Sequence, residues 1–317
     1  MMGIRDNVVL LVGGVGGAKL AYGLAHILPP GALTIIVNTG DDFEHFGLHI
    51  SPDIDTVMYT LAGLANPITG WGIDGDTFQA MEMVERYGGP TWFQLGDLDL
   101  GTHLQRTKWL QACHSLTEVT RRLCAALAVP HTILPMCDQP VRTRLITDQG
   151  QLDFQDYFVR LRWEPHVHRI AYEGAERAYP SEAVAQALES ATVIVLGPSN
   201  PVLSIDPILA VPGIRKRIVA HSAFCAAVSP IIGSQAVKGP AAKLLAELGI
   251  EVSPLGVAQY YANLLNGIIL DEVDRELRPD IESMGLLAAA RHTLMTTSDD
   301  KKKLAEELLT WIENVTS

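Results

Sequence analysis

The chain has 317 residues, 48% of them hydrophobic and 19% charged, with a formal net charge of −12. That length suffices for one large α/β domain with a buried core, while the acidic balance, with no basic patch interleaved with aromatics, argues against a nucleic-acid surface. No apolar run approaches the roughly 18 residues that span a bilayer, and no charged leader precedes a cleavage site, so a cytoplasmic protein is expected.

The N-terminal pattern sets the fold. Val8-Val9-Leu10-Leu11-Val12 is apolar at every position, the mark of a strand buried on both faces of a parallel sheet. Gly13-Gly14-Val15-Gly16-Gly17-Ala18-Lys19 follows, and Leu20, Leu24, Ala25 and Leu28 then recur at helical spacing, which predicts a helix over 18–28. A glycine-rich turn feeding the positive end of a helix dipole is an anion site, most often for a phosphate. Neither common phosphate motif is met: Leu20 stands where a P-loop carries Ser or Thr, and Lys19 stands at the third glycine of the dinucleotide fingerprint.

A second strand is predicted at 33–37, ending in Asn38-Thr39-Gly40-Asp41-Asp42. Ligands of open parallel sheets lie outside the carboxyl ends of the strands, so this loop should sit beside the glycines. Ser51-Pro52-Asp53-Ile54-Asp55-Thr56 opens the next helix, where Ser51 and Asp53 suit an N-terminus. An Asx turn or simple capping accounts for some of these acids but not for all of them. Acids in two adjacent loops near a phosphate site point to a divalent cation, and magnesium, which takes one or two carboxylates plus substrate phosphates, suits this best.

Between about 65 and 165 the sheet pattern is diluted. Helices are predicted at 76–87 and 115–127, the latter with Ser115 and Glu118 in capping-box spacing. A strand at 92–97 leads to a polar loop over 98–103; a strand at 132–136 and a hairpin of 141–147 with 151–154 follow. This stretch reads as a mainly helical insertion covering the ligand, within a single domain of residues 1–317. The doubly wound pattern resumes with a helix at 181–190 and a buried strand at 192–196 that ends in Gly197-Pro198-Ser199-Asn200-Pro201. Strands near 224–228, Ile250, 267–270 and 287–292 alternate with helices at 205–209, 214–221, 241–248, 256–264 and 302–314. Cys113, Cys124, Cys137 and Cys225 lack C-x-x-C spacing and are expected as small buried hydrophobes. The fold class is α/β, a Rossmann-like, doubly wound, mostly parallel sheet.

These loops together resemble the 2-phospho-L-lactate transferase family, phosphoenolpyruvate transferase in bacteria, which builds the deazaflavin coenzyme F-420. The resemblance covers nearly the whole chain through the glycine stretch, Asn38-Thr39-Gly40-Asp41-Asp42, Ile50-Ser51-Pro52-Asp53-Ile54-Asp55-Thr56, Leu95-Gly96-Asp97-Leu98-Asp99, Leu134-Pro135-Met136, Gly197-Pro198-Ser199-Asn200-Pro201, and Val228-Ser229-Pro230-Ile231-Ile232-Gly233 with Lys238-Gly239-Pro240. It implies a magnesium-dependent transferase, expected as a homodimer, that moves a phospholactyl, phosphoenolpyruvyl or phosphoglyceryl unit from a guanosine diphospho donor. The acceptor is the terminal ribityl hydroxyl of the deazaflavin Fo, and GMP leaves.

On that reading Gly13, Gly14, Val15, Gly16, Gly17 and Lys19 hold the donor phosphates, and Ser199 and Asn200 face the guanosine diphosphate. Asp42 and Asp55 lead as metal ligands or acceptor-orienting groups, with Asp41 and Asp53 as alternates, and Asp55 and Gln94 contact Fo. Asp97 and His103 are supporting or lid residues, and Trp71, Trp92 and Trp109 offer stacking surfaces. The alternative is a nucleotide-binding regulatory protein with the same core and no transferase activity, which has less use for a second acidic loop.

Overall fold

A computed structural model describes residues 3–236 and 239–317; Lys238, from the predicted Lys-Gly-Pro turn, lies outside the described residues. Seven parallel strands make the central sheet: β1 (Val8–Val12), β2 (Leu33–Val37), β3 (Thr132–Pro135), β4 (Val193–Leu196), β5 (Phe224–Val228), β6 (Gly267–Asp271) and β7 (Leu287–Arg291). Their order is β3-β2-β1-β4-β5-β6-β7, with Leu10 opposite Ile35 on one side and Val195 on the other. This is the doubly wound order with one strand added, and it reverses direction between β1 and β4.

Both faces are covered, which is why the strands read as unbroken apolar runs. Val8, Leu10 and Val12 pack under α1 (Gly14–Ile27), α2 (Pro52–Leu61) and the C-terminal helix Ser298–Thr316, while Val9 and Leu11 pack against the helices Glu182–Ser190, Asp206–Ala210 and Ile214–Ala220. All five β1 side chains are fully buried, each contributing about 1.5–3 kcal/mol relative to exposure. No helix among the described residues is long and apolar enough to cross a membrane.

α1 meets the C-terminal helix so closely that a Cβ at Gly23 would run into the Lys301 carbonyl. Gly→Ala in an exposed helix stabilises by about 1 kcal/mol. Here the crowding wins, and Gly23→Ala is expected to destabilise by about 1–3 kcal/mol. A lowered thermal midpoint checks this; an unchanged or raised midpoint would mean the helices separate without cost.

The stretch 65–165 carries α3 (Gln79–Arg86), α4 (Asp97–Gln111) and α5 (Leu116–Ala126), with Ser115 Oγ accepting from the Glu118 amide at 3.2 Å. It also contains β3, the outer strand of the central sheet, and the hairpin Arg142–Thr147 with Gly150–Asp153. A third antiparallel strand, Val167–Glu173, pairs with that hairpin.

Local expectations fail in several places. Residues 91–96 form no strand, because Trp92 and Phe93 instead join Phe43 and His45 in a ring cluster, with centroids 4.8 Å apart for Phe43 and Phe93. The predicted loop over 98–103 is the start of α4, whose first turn gathers Asp97 and Asp99 at the positive end of the helix. α1 begins at Gly14, not Ala18, and the helix expected over 256–264 spans Pro254–Tyr260. Ile250 closes the helix Ala241–Glu247, its amide donating to the Leu245 carbonyl at 2.8 Å, and forms no strand. Cys124, Cys137 and Cys225 are buried as expected, but Cys113 is exposed just beyond the end of α4, where φ is +64°.

Candidate active site

A cavity of about 660 Å³ opens at the carboxyl ends of β1 and β4, where the sheet order reverses. Its floor is the start of α1. Gly14 adopts φ +64°, which lets the chain turn directly from β1 into the helix. The neighbouring glycines serve close approach: a Cβ at Gly16 would strike the Pro198 carbonyl, and one at Gly17 would lie 2.6 Å from Ser199 Oγ. Ser199 Oγ accepts from the Gly13 amide at 3.2 Å and donates to the Gly13 carbonyl at 2.8 Å, tying the loop after β4 to the helix start. The Gly14 amide donates to Asp53 Oδ1 at 2.7 Å. The amides of Val15 and Gly16, in the first turn, have no carbonyl within the helix to reach, and both residues line the cavity. Lys19 Nζ donates to the Met295 carbonyl at 2.8 Å at the cavity wall.

The four predicted acids are all buried, but they divide. Asp41, Asp53 and Asp55 line the cavity; Asp42 does not, and its Oδ2 accepts from Ser51 Oγ at 2.8 Å with His49 Nε2 at 3.1 Å. Asp41 Oδ1 has no hydrogen-bond partner. Burial, then the charges of Asp53 and Asp42, push the Asp41 carboxyl well above the ordinary range against a hydrogen bond from Asn38. Asp53 is pushed up to about 6 by burial, although Asn38 Nδ2 donates to its Oδ2 at 2.9 Å and the Gly14 amide to its Oδ1. Burial also raises Asp55, opposed by Arg106 and His103.

One face of α4 completes this wall. Asp99, His103 and Arg106 follow one another at helical spacing, and Arg106 grips both carboxylate oxygens of Asp55, with Nη1 2.9 Å from Oδ2. Tyr59 OH donates to Asp99 Oδ1 at 2.6 Å from α2. Burial pushes Asp99 up, but the polar groups around it, the Tyr59 hydroxyl and the Arg106 guanidinium among them, outweigh it and leave the carboxyl below its usual range. Tyr59, Asp99 and Arg106 are absent from the sequence-based site. For Asp99 and Arg106 the available signal is their i, i+4, i+7 spacing with His103, hidden by reading 98–103 as a loop; Tyr59, on α2, carries no such signal. Asp55, Asp99 and His103 each bring a ligand atom within 4.8 Å of the others, a spacing compatible with a metal ion. Asp97 stands outside the cavity lining and instead accepts from the Gln79 and Ala80 amides, both at 3.0 Å, fixing the start of α3.

Aromatic side chains form the rim. Trp71, Trp92 and Phe93 line one side with Gln94, whose Nε2 donates to the Thr91 carbonyl at 2.8 Å. Phe154 and Phe158, stacked with centroids 5.3 Å apart, line another. Trp109 packs away from the cavity under Arg122. Asn200 lines the cavity, yet its Oδ1 is engaged by the Val202 and Leu203 amides at 3.1 and 3.2 Å.

A doubly wound sheet with a cavity at its switch point, floored by a helix N-terminus and walled by buried acids, defines an α/β protein with its candidate site at the carboxyl ends of the strands. The chain belongs to the family described as 2-phospho-L-lactate transferase CofD, whose model matches residues 8–314. It is 42% identical over 315 residues to the phosphoenolpyruvate transferase of Streptomyces griseus, covering 98% of this chain and 99% of that one. It is 40% identical over 299 residues to the 2-phospho-L-lactate transferase of Methanosarcina mazei, covering 94% and 98%. Among solved structures, Bacillus halodurans protein BH3568 has the same fold, with a TM-score of 0.64 at 15% identity over 96% of this chain and 99% of that one.

Proposed function

We propose that this protein transfers a phosphorylated three-carbon acid unit from a guanosine diphospho donor to the ribityl hydroxyl of the deazaflavin Fo, releasing GMP, in coenzyme F-420 biosynthesis. The observation that carries this reading is one cavity in which the α1 N-terminus faces buried carboxylates beneath an aromatic rim. The family and the transferase names of its relatives supply the reaction class.

The donor diphosphate lies over the Val15 and Gly16 amides, with Lys19 contributing its charge. Ser199 and Asn200 shape the guanosine side, Ser199 by holding the loop after β4 against α1. Asp41 and Asp53 would hold magnesium: they are buried, they repel each other, and Asp41 Oδ1 is unpaired, which is what a divalent cation relieves. Asp42 supports them from behind, and Asp55, engaged by Arg106, turns toward the acceptor. Magnesium, when bound, supplies charge neutralisation on the diphosphate.

The hydroxyl oxygen attacks the phosphorus bearing the three-carbon acid, and the bond from that phosphorus to the GMP oxygen breaks. Asp55 orients the hydroxyl and receives its proton. In a loose transition state that proton leaves late, so a carboxylate suffices, and burial raises the basicity of this one against the Arg106 charge. Trp71, Trp92 and Phe93 cover the deazaflavin ring with Gln94 at its edge.

Incubation with Fo, magnesium and each of the phospholactyl, phosphoenolpyruvyl and phosphoglyceryl donors, followed by mass analysis, is expected to give one preferred phosphodiester product and GMP. A chelator should stop turnover. Guanosine nucleotide binding without any product would return the chain to the regulatory reading, and turnover unaltered by the chelator would remove the metal.

A further inference from the structure

His103 lines the cavity, yet the proposed reaction gives its imidazole no part and leaves its contact with Arg106 unexplained. Arg106 is 0% exposed, and a guanidinium so placed is tolerated only among acceptors. Beyond its grip on Asp55, its Nη1 lies 3.2 Å from His103 Nδ1. A guanidinium can only donate, so Nδ1 is the acceptor in this contact. Asp55 Oδ2 is 3.7 Å from the same nitrogen, too far to share a proton with it. The ring proton therefore sits on Nε2. That nitrogen is 3.1 Å from Asp99 Oδ2 but off the line of a hydrogen bond, and it has no aligned partner although the residue is 1% exposed.

We propose that His103 Nε2–H is a hydrogen-bond donor to a hydroxyl of the acceptor's polyol chain, and that Arg106 is the positioning residue that fixes the His103 tautomer. This deepens the proposed function, on which the acceptor's identity rests; the tautomer does not rest on it. A donor flanked by the Asp55 and Asp99 carboxylates matches hydroxyl groups, which both donate and accept, whereas the same carboxylates would repel a phosphate. A cation bound at Nε2 would move the proton to Nδ1, directly against the guanidinium, so this tautomer opposes metal binding at the Asp55, Asp99 and His103 group.

Long-range ¹⁵N–¹H correlation spectra of the full chain, with His103→Gln identifying the signals, report the tautomer without substrate. The expected pattern for His103 is a proton on Nε2 and a bare Nδ1 facing Arg106; protonation at Nδ1 would overturn the role of Arg106. Adding Fo without donor should shift the Nε2 proton, and His103→Gln should raise KM for Fo by about tenfold, more than it changes kcat or the donor KM. Arg106→Lys should mix the tautomers and raise KM for Fo in the same sense. The wild-type spectrum keeps the test alive if that variant does not fold. An unmoved Nε2 proton together with an unchanged KM for Fo overturns the donor role. No turnover of Fo in a protein that shows the expected tautomer would instead sink the proposed function and leave the Arg106 assignment standing.

Discussion

Asp41→Asn is expected to lower kcat by about 10²–10³-fold while leaving the protein as stable as before or more so. The two effects have opposite signs for one reason. Asp41 is buried beside Asp53 and Asp42, and burial and those charges hold its carboxyl far above the ordinary range. The amide escapes both that burial cost and that repulsion in the folded state, because it never has to ionise or take up a proton. The substitution also removes an unpaired Oδ1 from a residue of the cavity wall, where the proposed cation would sit. Thermal unfolding with kcat measured across a magnesium titration separates the effects. Activity within about threefold of wild type, at an unchanged magnesium requirement, would exclude Asp41 as a ligand.

Gly16→Ala is expected to cut kcat/KM for the donor by about 100-fold. Helix propensity alone favours alanine by about 1 kcal/mol, so any loss must come from tertiary contact. The new methyl would meet the Pro198 carbonyl, forcing the start of α1 away from the loop after β4. That loop carries Ser199, which is bonded to Gly13 at both its amide and its carbonyl, so the amides of Val15 and Gly16 would shift with it. Calorimetric titration with GDP tests this without chemistry. Binding within about threefold of wild type would show that the close approach is dispensable.

The two variants probe parts of the site that differed in how visible they were. The glycines stood out, but their visible purpose, exposing amides, is only part of their use. Gly13 and Gly14 spend their amides on Ser199 and Asp53, while Gly16 and Gly17 make room for a neighbouring loop far away in sequence. The acids stood out as a group, but nothing in their spacing separates Asp41 from Asp42. One faces the cavity and the other faces Ser51 and His49. The α4 residues were missed because Gly101 and three acidic or polar neighbours resemble a loop, and only the dipole-favoured first turn and packing under α2 make them helical.

By itself the sequence determined the alternation of strands and helices, the parallel sheet and the positions of the glycine and acidic loops, because periodicity and turn chemistry are local properties written residue by residue. Only the tertiary structure decided which acids share a wall, that Arg106 reaches across from α4 to clamp Asp55, and that Trp92 and Phe93 roof a cavity instead of extending a sheet. Those outcomes depend on contacts between segments dozens of residues apart, and burial, which sets the charge and hydrogen bonding of every one of these groups, exists only once the chain has closed around them.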